Sequence, residues 1–491
     1  KKLTVNIPEF GVGDPDTQEN GSSANDLAWM SYFGRLNYTF NERYMLEFNL
    51  RYDGSSRFID KWGLFPSASA AWRITEERFM KQFDWLNNLK LRLSWGRLGN
   101  ESIGQSYAAS DELSLNGLMN FNNTLVGIAA VTKLANKKTS WETTEQYNIG
   151  LDVDVFNKIS TSLDYYIKNT SDILMQVPVS STLGMTTVPY QNAGKMRNRG
   201  LEMTLRYNDR FGDVGTQFSV SATRIKNEVR DLAGKDELIM GNTIWRVGES
   251  FNSFYGLQTE GIYQSQEEIN NHLIFNDRGT AVNPYMGMTP MPGDIRFKDQ
   301  INVDTDGDGI PDSRNGIINA DDKVILGPSF PKWTFSATLG LDWKGFDLSI
   351  FLQGVSGIKT LNQGIITVPF HSGDANVGDW YMDRWTPENP SQTIQRLYSD
   401  PNRSEIISEY YLENASYIRC KSLDIGYTLP RHLFRNVFSS NSSVRFYVSM
   451  QNLFTITSMR YGFDPEKPTS TTNTLQYPQS RIYSLGVNLK F

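Results

Sequence analysis

The feature that most constrains this chain is a strict two-residue period, seen most cleanly in residues 480–491, S-R-I-Y-S-L-G-V-N-L-K-F. Tyr483, Leu485, Val487, Leu489 and Phe491 fall on one side; Ser484, Gly486, Asn488 and Lys490 fall on the other. A period of two belongs to a strand, because successive side chains point to opposite faces of the sheet. Tyr483 and Phe491 bracket the apolar face. Eight residues at roughly 3.3 Å each, tilted near 45°, cover about 19 Å along a membrane normal. Outer-membrane barrels carry an apolar band about 25 Å tall with aromatic residues at both rims, and their closing strand ends at such a rim. An amphipathic strand of a soluble sandwich fits these twelve residues equally well.

The same alternation recurs along most of the chain. Tyr44, Leu46, Phe48, Leu50 and Tyr52 alternate with Met45, Glu47, Asn49, Arg51 and Asp53. Leu89, Leu91, Leu93 and Trp95 alternate with Lys90, Arg92, Ser94 and Gly96. Residues 147–155, 159–167, 201–207, 335–343, 346–352, 423–429 and 444–450 repeat the pattern. One face carries Arg, Lys, Asp and Glu while the other carries almost nothing polar. A sandwich would turn that polar face to bulk water; a large barrel would turn it to a wet lumen and the apolar face to lipid.

The connections distinguish the two. Asn41-Glu42, Asn157-Lys158 and Lys344-Gly345 are tight, whereas about 98–140, 169–194, 264–330, 357–410 and 455–479 are long and rich in Gly, Asn, Ser and Asp. Alternating short and long connections characterise outer-membrane barrels, with short periplasmic turns and long outer loops. A soluble domain rarely holds so many long loops. Residues 75–87 and 430–442 are of medium length and are expected to form short helical turns on the periplasmic side. Keeping the alternation requires a poorly patterned strand near 237–247. Counting it gives about 15 antiparallel strands between Trp29 and Phe491, with residues 1–28 an irregular segment entering the barrel. An odd number of upstream strands is then required, and roughly 7 more would make the 22-stranded, plugged class.

Composition bounds the function. Mean hydropathy is −0.44 and no apolar run approaches 18 residues, so no helical span is expected, while an alternating barrel strand averages out as polar. The net charge of −6, without a long basic run, argues against nucleic acid. Cys420 is the single cysteine, and His272, His371 and His432 have no ligand spacing. The start, Lys-Lys-Leu-Thr, has neither an initiator Met nor a signal peptide, so a longer product is expected.

Nine short stretches, in order, carry a resemblance. They are S-Y-F-G-R-L-N-Y (31–38), R-Y-D-G-S-S-R-F (51–58), F-P-S-A-S-A-A-W-R (65–73), W-E-T-T-E-Q (141–146), N-R-G-L-E (198–202), P-G-D-I (292–295), R-W-T-P-E-N-P (384–390), L-D-I-G-Y-T-L-P (423–430) and Q-N-L-F (451–454). Together they resemble the C-terminal half of a SusC/RagA-type TonB-dependent outer-membrane transporter from Bacteroidetes. The resemblance implies a missing N-terminal signal peptide, TonB box, plug and early strands. It also implies import of glycan fragments or oligopeptides, energised by a TonB complex, with a SusD-like surface lipoprotein over the outer loops.

One local motif points to chemistry of its own. Asp304-Thr305-Asp306-Gly307-Asp308-Gly309 alternates three carboxylates and has a glycine for a sharp turn, as an EF-hand-type loop begins around Ca²⁺. Position twelve is Asn315 rather than an acid. The resembling family's loop runs directly into an Ile-x-x-x-Asp segment, matched here by Ile318 to Asp322. Asp322 is therefore implied as the last ligand, with Asp312 or Asp321 as substitutes, across an insertion of about seven residues, 310–316. No nucleophile–base pair stands out, so no catalytic residue is assigned. Trp380, Tyr381 and Trp385 are read mainly as loop packing, with stacking on a sugar or an apolar side chain as the alternative. Outside active import, the readings left open are a passive porin, a structural or adhesive outer-membrane barrel, and a secreted calcium-binding sandwich.

Overall fold

The computed structural model describes residues 26–101, 111–133, 136, 138–176, 190–272, 289–362, 379–397, 406–433, 442–460, 464–466 and 479–490. Phe491 and most of the entering segment 1–28 lie outside them. Its largest sheet has 14 strands. Thirteen follow one another in chain order: Trp29–Phe40, Tyr44–Ser55, Trp62–Arg73, Leu86–Asn100, Glu142–Val155, Ile159–Gln176, Tyr190–Phe211, Val214–Leu232, Trp333–Trp343, Phe346–Ser356, Tyr417–Thr428, Ser443–Gln451 and Ile482–Lys490. The short strand Thr455–Thr457 pairs with Tyr417–Thr428 off that path. No described helix is long and apolar enough to cross a membrane.

The chain divides into two compact units: residues 1–153, 164–199 and 228–236 in one, and 154–163, 200–227 and 237–491 in the other. In the first unit the register aligns the two faces residue by residue. Leu36 lies opposite Phe48, Phe48 opposite Ala68, and Ala68 opposite Trp95. One residue along, Asn37, Glu47, Ser69 and Ser94 form the polar row. Directly opposed residues share a face. The long apolar side chains of the first two strands stand exposed, Leu36 at 65% and Phe48 at 51%. A water-soluble fold would bury such a row. Aromatic rings gather at both ends of this face: Tyr44 stacks on Trp72 at 6.5 Å, and Tyr52 stacks on Trp62 at 4.7 Å.

The polar face neutralises its own charges. Arg92 makes two hydrogen bonds of 2.9 Å to Asp152 and bonds of 2.9 and 2.7 Å to Asp164. Gly150 sits beside this group, where a Cβ would come within 2.4 Å of Asp164 and 2.6 Å of the guanidinium.

The second unit repeats the arrangement. Leu341, Leu348, Ile425, Val448 and Leu485 line up across five strands. Leu485, in the last of them, is 85% exposed. Trp343, Phe346, Tyr427 and Phe446 form an aromatic row at the short-turn end. On the other face Arg445 binds Asp347. Cys420 is buried where the pairing of Phe346–Ser356 with Tyr417–Thr428 shifts register.

Short and long connections mostly alternate, and the two medium ones contain the expected turns: 3-10 helices Ile74–Glu76 and Arg78–Met80, and Arg431–Leu433. The strand expected near 237–247 is corrected. Val214–Leu232 pairs directly with Trp333–Trp343. Glu237–Met240 and Thr243–Arg246 instead form a hairpin in a separate four-stranded sheet with Ser253–Leu257 and Lys323–Gly327. Four-residue strands reach only about 13 Å, too short to span, and Leu238 and Ile244 bury their side chains within the loop. Among the described residues the path has thirteen strands, and none of them lies in 237–247.

Candidate functional site

At the long-loop end of the second unit, described residues within 237–332 and 357–416 build a substructure with its own core. Phe254, Leu257, Tyr263, Ile269, Ile295, Phe297, Ile318, Leu326, Leu361, Tyr411 and Leu412 are buried together, with Trp380 packed against them. The reason lies in the sequence of the loop itself: the short strand Ile295–Phe297 places its two apolar residues on one side, Ser253–Leu257 is buried along nearly its whole length, and the helix Gln266–His272 contributes Ile269. Two of the stretches singled out in the sequence meet here. Gly293 has φ of 91°, and its carbonyl accepts from Arg396 N at 2.9 Å. Asp294 is 1% exposed, binds the Arg396 guanidinium and accepts from Met291 N at 2.9 Å. Trp385, from the R-W-T-P-E-N-P stretch, donates to Gln264 at 3.2 Å and lies against Gly293. Tyr381 is 3% exposed. Tyr381 and half-buried Trp380 and Trp385 therefore pack the loop, in line with the packing reading.

The acidic motif sits in the same substructure, and the structure separates its predicted members. Carboxylate oxygens of Asp304, Asp306 and Asp308 lie within 4.8 Å of one another, and all three residues are exposed. Asp304 accepts from Gly307 N and Gly309 N, both at 2.7 Å, which holds its carboxyl below the usual range. Two oxygens on one Ca²⁺ at 2.3–2.6 Å are at most about 5 Å apart, so these three fit a single hard cation. Asp312 is engaged by the backbone N and hydroxyl of Thr305, and Asp321 is exposed.

Asp322 stands elsewhere. It is fully buried; Oδ1 accepts from Gln300 N and Oδ2 from Asn319 N, each at 2.8 Å. The physical cause is a small hairpin. Ile301–Val303 pairs with Ser313–Arg314, and Asp312 N donates to the Val303 carbonyl at 2.8 Å. The hairpin's excursion spans about 304–312 and carries the three-carboxylate motif out at its tip. Asp322 instead takes the N–H of Gln300, next to Asp299, a buried acid that spacing alone did not bring forward. Burial raises the Asp299 carboxyl, the Gly316 N–H opposes this, and Asp322 adds to it. Its signal in the sequence was only an acid next to a family-like stretch.

Comparison with known proteins decides the family. Residues 3–453 match the family described as TonB dependent receptor-like, beta-barrel. The chain belongs to the TonB-dependent receptor β-barrel family. It is 32% identical over 533 residues to TonB-dependent receptor P26 of Formosa agariphila, covering 100% of this chain and 50% of that protein. It is 28% identical over 499 residues to TonB-dependent receptor SusC of Bacteroides thetaiotaomicron, covering 97% and 45%. Among solved structures, that of the RagAB peptide transporter aligns with a TM-score of 0.76 and 26% identity, covering 97% of this chain and 50% of that one. The chain thus spans about half the length of these relatives. For a receptor barrel of the outer membrane, the exposed apolar rows are its lipid-facing surface and the charged rows its lumen.

Proposed function

We propose that this chain is the C-terminal barrel portion of an active importer that carries glycan fragments or oligopeptides across the outer membrane, driven by a TonB complex through a plug supplied elsewhere in the polypeptide. The long loops face the outside and receive a SusD-like lipoprotein; the short turns face the periplasm. One observation carries this reading: the loops at one end form a folded layer with a buried core, next to charge-lined strands whose apolar faces point outward. A general pore needs no such layer, whereas a docking platform for a lid does. The peptide transporter named among the structural relatives supports a bulky substrate. In this reading the role is binding and passage rather than catalysis. We also infer that Asp304, Asp306 and Asp308 hold a structural calcium ion on the outer face, where even a site of about 10⁻⁴ M would fill.

The deciding experiment is uptake of labelled oligosaccharides and oligopeptides by cells with and without a functional TonB complex. The reading expects uptake that is receptor-dependent and abolished without TonB. Uptake that persists unchanged without TonB makes the passive porin correct.

A further inference from the structure

The lipid-facing surface of the second unit carries a cation at one rim. Arg224 lies opposite Trp333, and Trp333 opposite Ser356, so the three form one row across three strands. Trp333 precedes Leu341 by an even number of residues on the same strand, so this row shares the face of Leu341, Leu348, Ile425, Val448 and Leu485. Ala222, Phe335 and Ala337 continue the apolar surface between them. Trp333 and Trp343 stand at the two ends of that strand. Ten residues at roughly 3.3 Å each, tilted near 45°, cover about 23 Å along the membrane normal, close to the height of the apolar band. Trp343 belongs to the aromatic row at the short-turn end, so Trp333 marks the rim at the long-loop end.

The Arg224 side chain is exposed, and its guanidinium carbon lies 5.5 Å from the centre of the Trp333 ring. The indole is itself 41% exposed, so the pair stands on the outside of the wall. Among the described residues Arg224 joins no ion pair. On the opposite face Arg445 is met by Asp347. A cation turned toward lipid is costly at the midplane, and becomes favourable at the interface, where anionic headgroups supply the counter-charge. A guanidinium forks onto two phosphate oxygens, and it can do so while resting on an aromatic face. The hydroxyl of Ser356, in the same row, offers a further donor. We propose that Arg224, Trp333 and Ser356 form a binding site for the phosphate of an outer-leaflet lipid headgroup, whose acyl chains run down the apolar surface past Phe335. The site rests on the reading that the long loops face outside, and not on import. A lipid held there ties together the strands Val214–Leu232, Trp333–Trp343 and Phe346–Ser356 at the rim below the loop layer.

The test uses the full-length receptor purified in detergent, with lipid A, dephosphorylated lipid A and inorganic phosphate as probes, and native mass spectrometry to count bound lipid. Arg224→Gln is expected to weaken lipid A binding about fivefold, the effect of one interfacial cation, and to leave binding of the dephosphorylated form unchanged. Arg224→Lys keeps the charge without the fork and is expected to fall between the two. Lys344→Gln removes the cation stacked on Trp343 at the opposite rim and is expected to bind lipid A fully. Inorganic phosphate is expected not to displace the lipid, because it lacks the chains; displacement would make this a free-anion site and overturn the proposal. Lipid A binding by Arg224→Gln equal to that of the unmutated receptor, or equal loss in Arg224→Gln and Lys344→Gln, overturns the site and leaves import to be judged by TonB-dependent uptake. Loss in Lys344→Gln alone overturns both the site and the outward placing of the long loops. A map of the unmutated receptor in nanodiscs containing lipid A decides even if Arg224→Gln fails to fold: phosphate density on the Arg224 guanidinium is expected, and its absence ends the proposal.

Discussion

The indole of Trp385 occupies the space that a side chain on Gly293 would need. A Cβ built at Gly293 comes within 2.5 Å of the Trp385 ring, and the Gly293 φ of 91° is one that other residues adopt only with strain. Gly293→Ala is therefore expected to loosen the loop layer by about 2 kcal/mol, from the left-handed backbone and the displaced ring together. Hydrogen exchange is expected to rise in 291–297 and 384–396 while the spanning strands stay protected. Trp385→Ala in the same chain removes the ring clash but neither the contact with Arg396 Cβ at 2.8 Å nor the backbone cost, so the double variant should fall short of additivity. Unchanged exchange in both segments would contradict the contact.

Lipid-facing positions make a second test. Phe48 and Leu485 lie mid-strand on exposed apolar rows, whereas Asn49 is half-buried on the polar row. Arg at Phe48 or Leu485 is expected to cost roughly 2–4 kcal/mol near the midplane, and Arg at Asn49 far less. Urea unfolding of the full receptor in liposomes measures all three. Equal tolerance would mean that the faces are assigned the wrong way round.

Alternation made the spanning strands legible because the period is a local property: each strand declares its two faces without reference to its neighbours. Leu341, Leu348 and Ile425 could be placed on one face before any pairing was known. What joins strands was not legible. Arg92 meets Asp152 and Asp164 across 60 and 72 residues of chain, and nothing in the spacing marks those partners among the other acids on polar faces. The hairpin at Glu237–Met240 and Thr243–Arg246 misled for a related reason. Its apolar residues serve a loop core, and a short run cannot say which core it joins. At the acidic motif, the carboxylates nearest in sequence formed one cluster as expected. Asp322 went to the main-chain N–H groups of Gln300 and Asn319 instead, because the pairing of Ile301–Val303 with Ser313–Arg314 closes the insert before it.

The pH response of the loop layer follows from His272. Its ring contacts the hydroxyl of buried Tyr263. Burial, then the charge of Arg296, holds its pKa below the usual value, with Glu260 opposing and Arg314 adding. The folded loop therefore keeps His272 neutral where the open loop would protonate it. Stability is unaffected well above about pH 6.5, the unperturbed value, and falls as pH drops below it toward the lowered folded value. Hydrogen exchange of 259–272, corrected for intrinsic rates, is expected to rise from pH 7.5 to 5. His272→Gln should flatten that slope. An identical slope in the variant would take the effect away from His272.

The exposed acidic tip gives the last prediction, and the hairpin narrows it. Asp304, Asp306 and Asp308 repel one another when no cation is present, and their oxygens are close enough to share one. Their segment is tied to the rest of the loop through Ile301–Val303 and Ser313–Arg314 alone among the described strands. Losing the cation should therefore free the tip without unravelling the core around Phe254 and Tyr411. Asp306→Ala with Asp308→Ala is expected to raise protease cleavage within 303–314, leaving 253–272 and the spanning strands resistant. EDTA on the unmutated protein should produce the same cuts, and calcium should suppress them in the unmutated protein but not in the variant. Cleavage of 303–314 that responds to neither EDTA nor the substitutions would reduce the three aspartates to a solvated turn, held by the bonds from Asp304 to Gly307 N and Gly309 N.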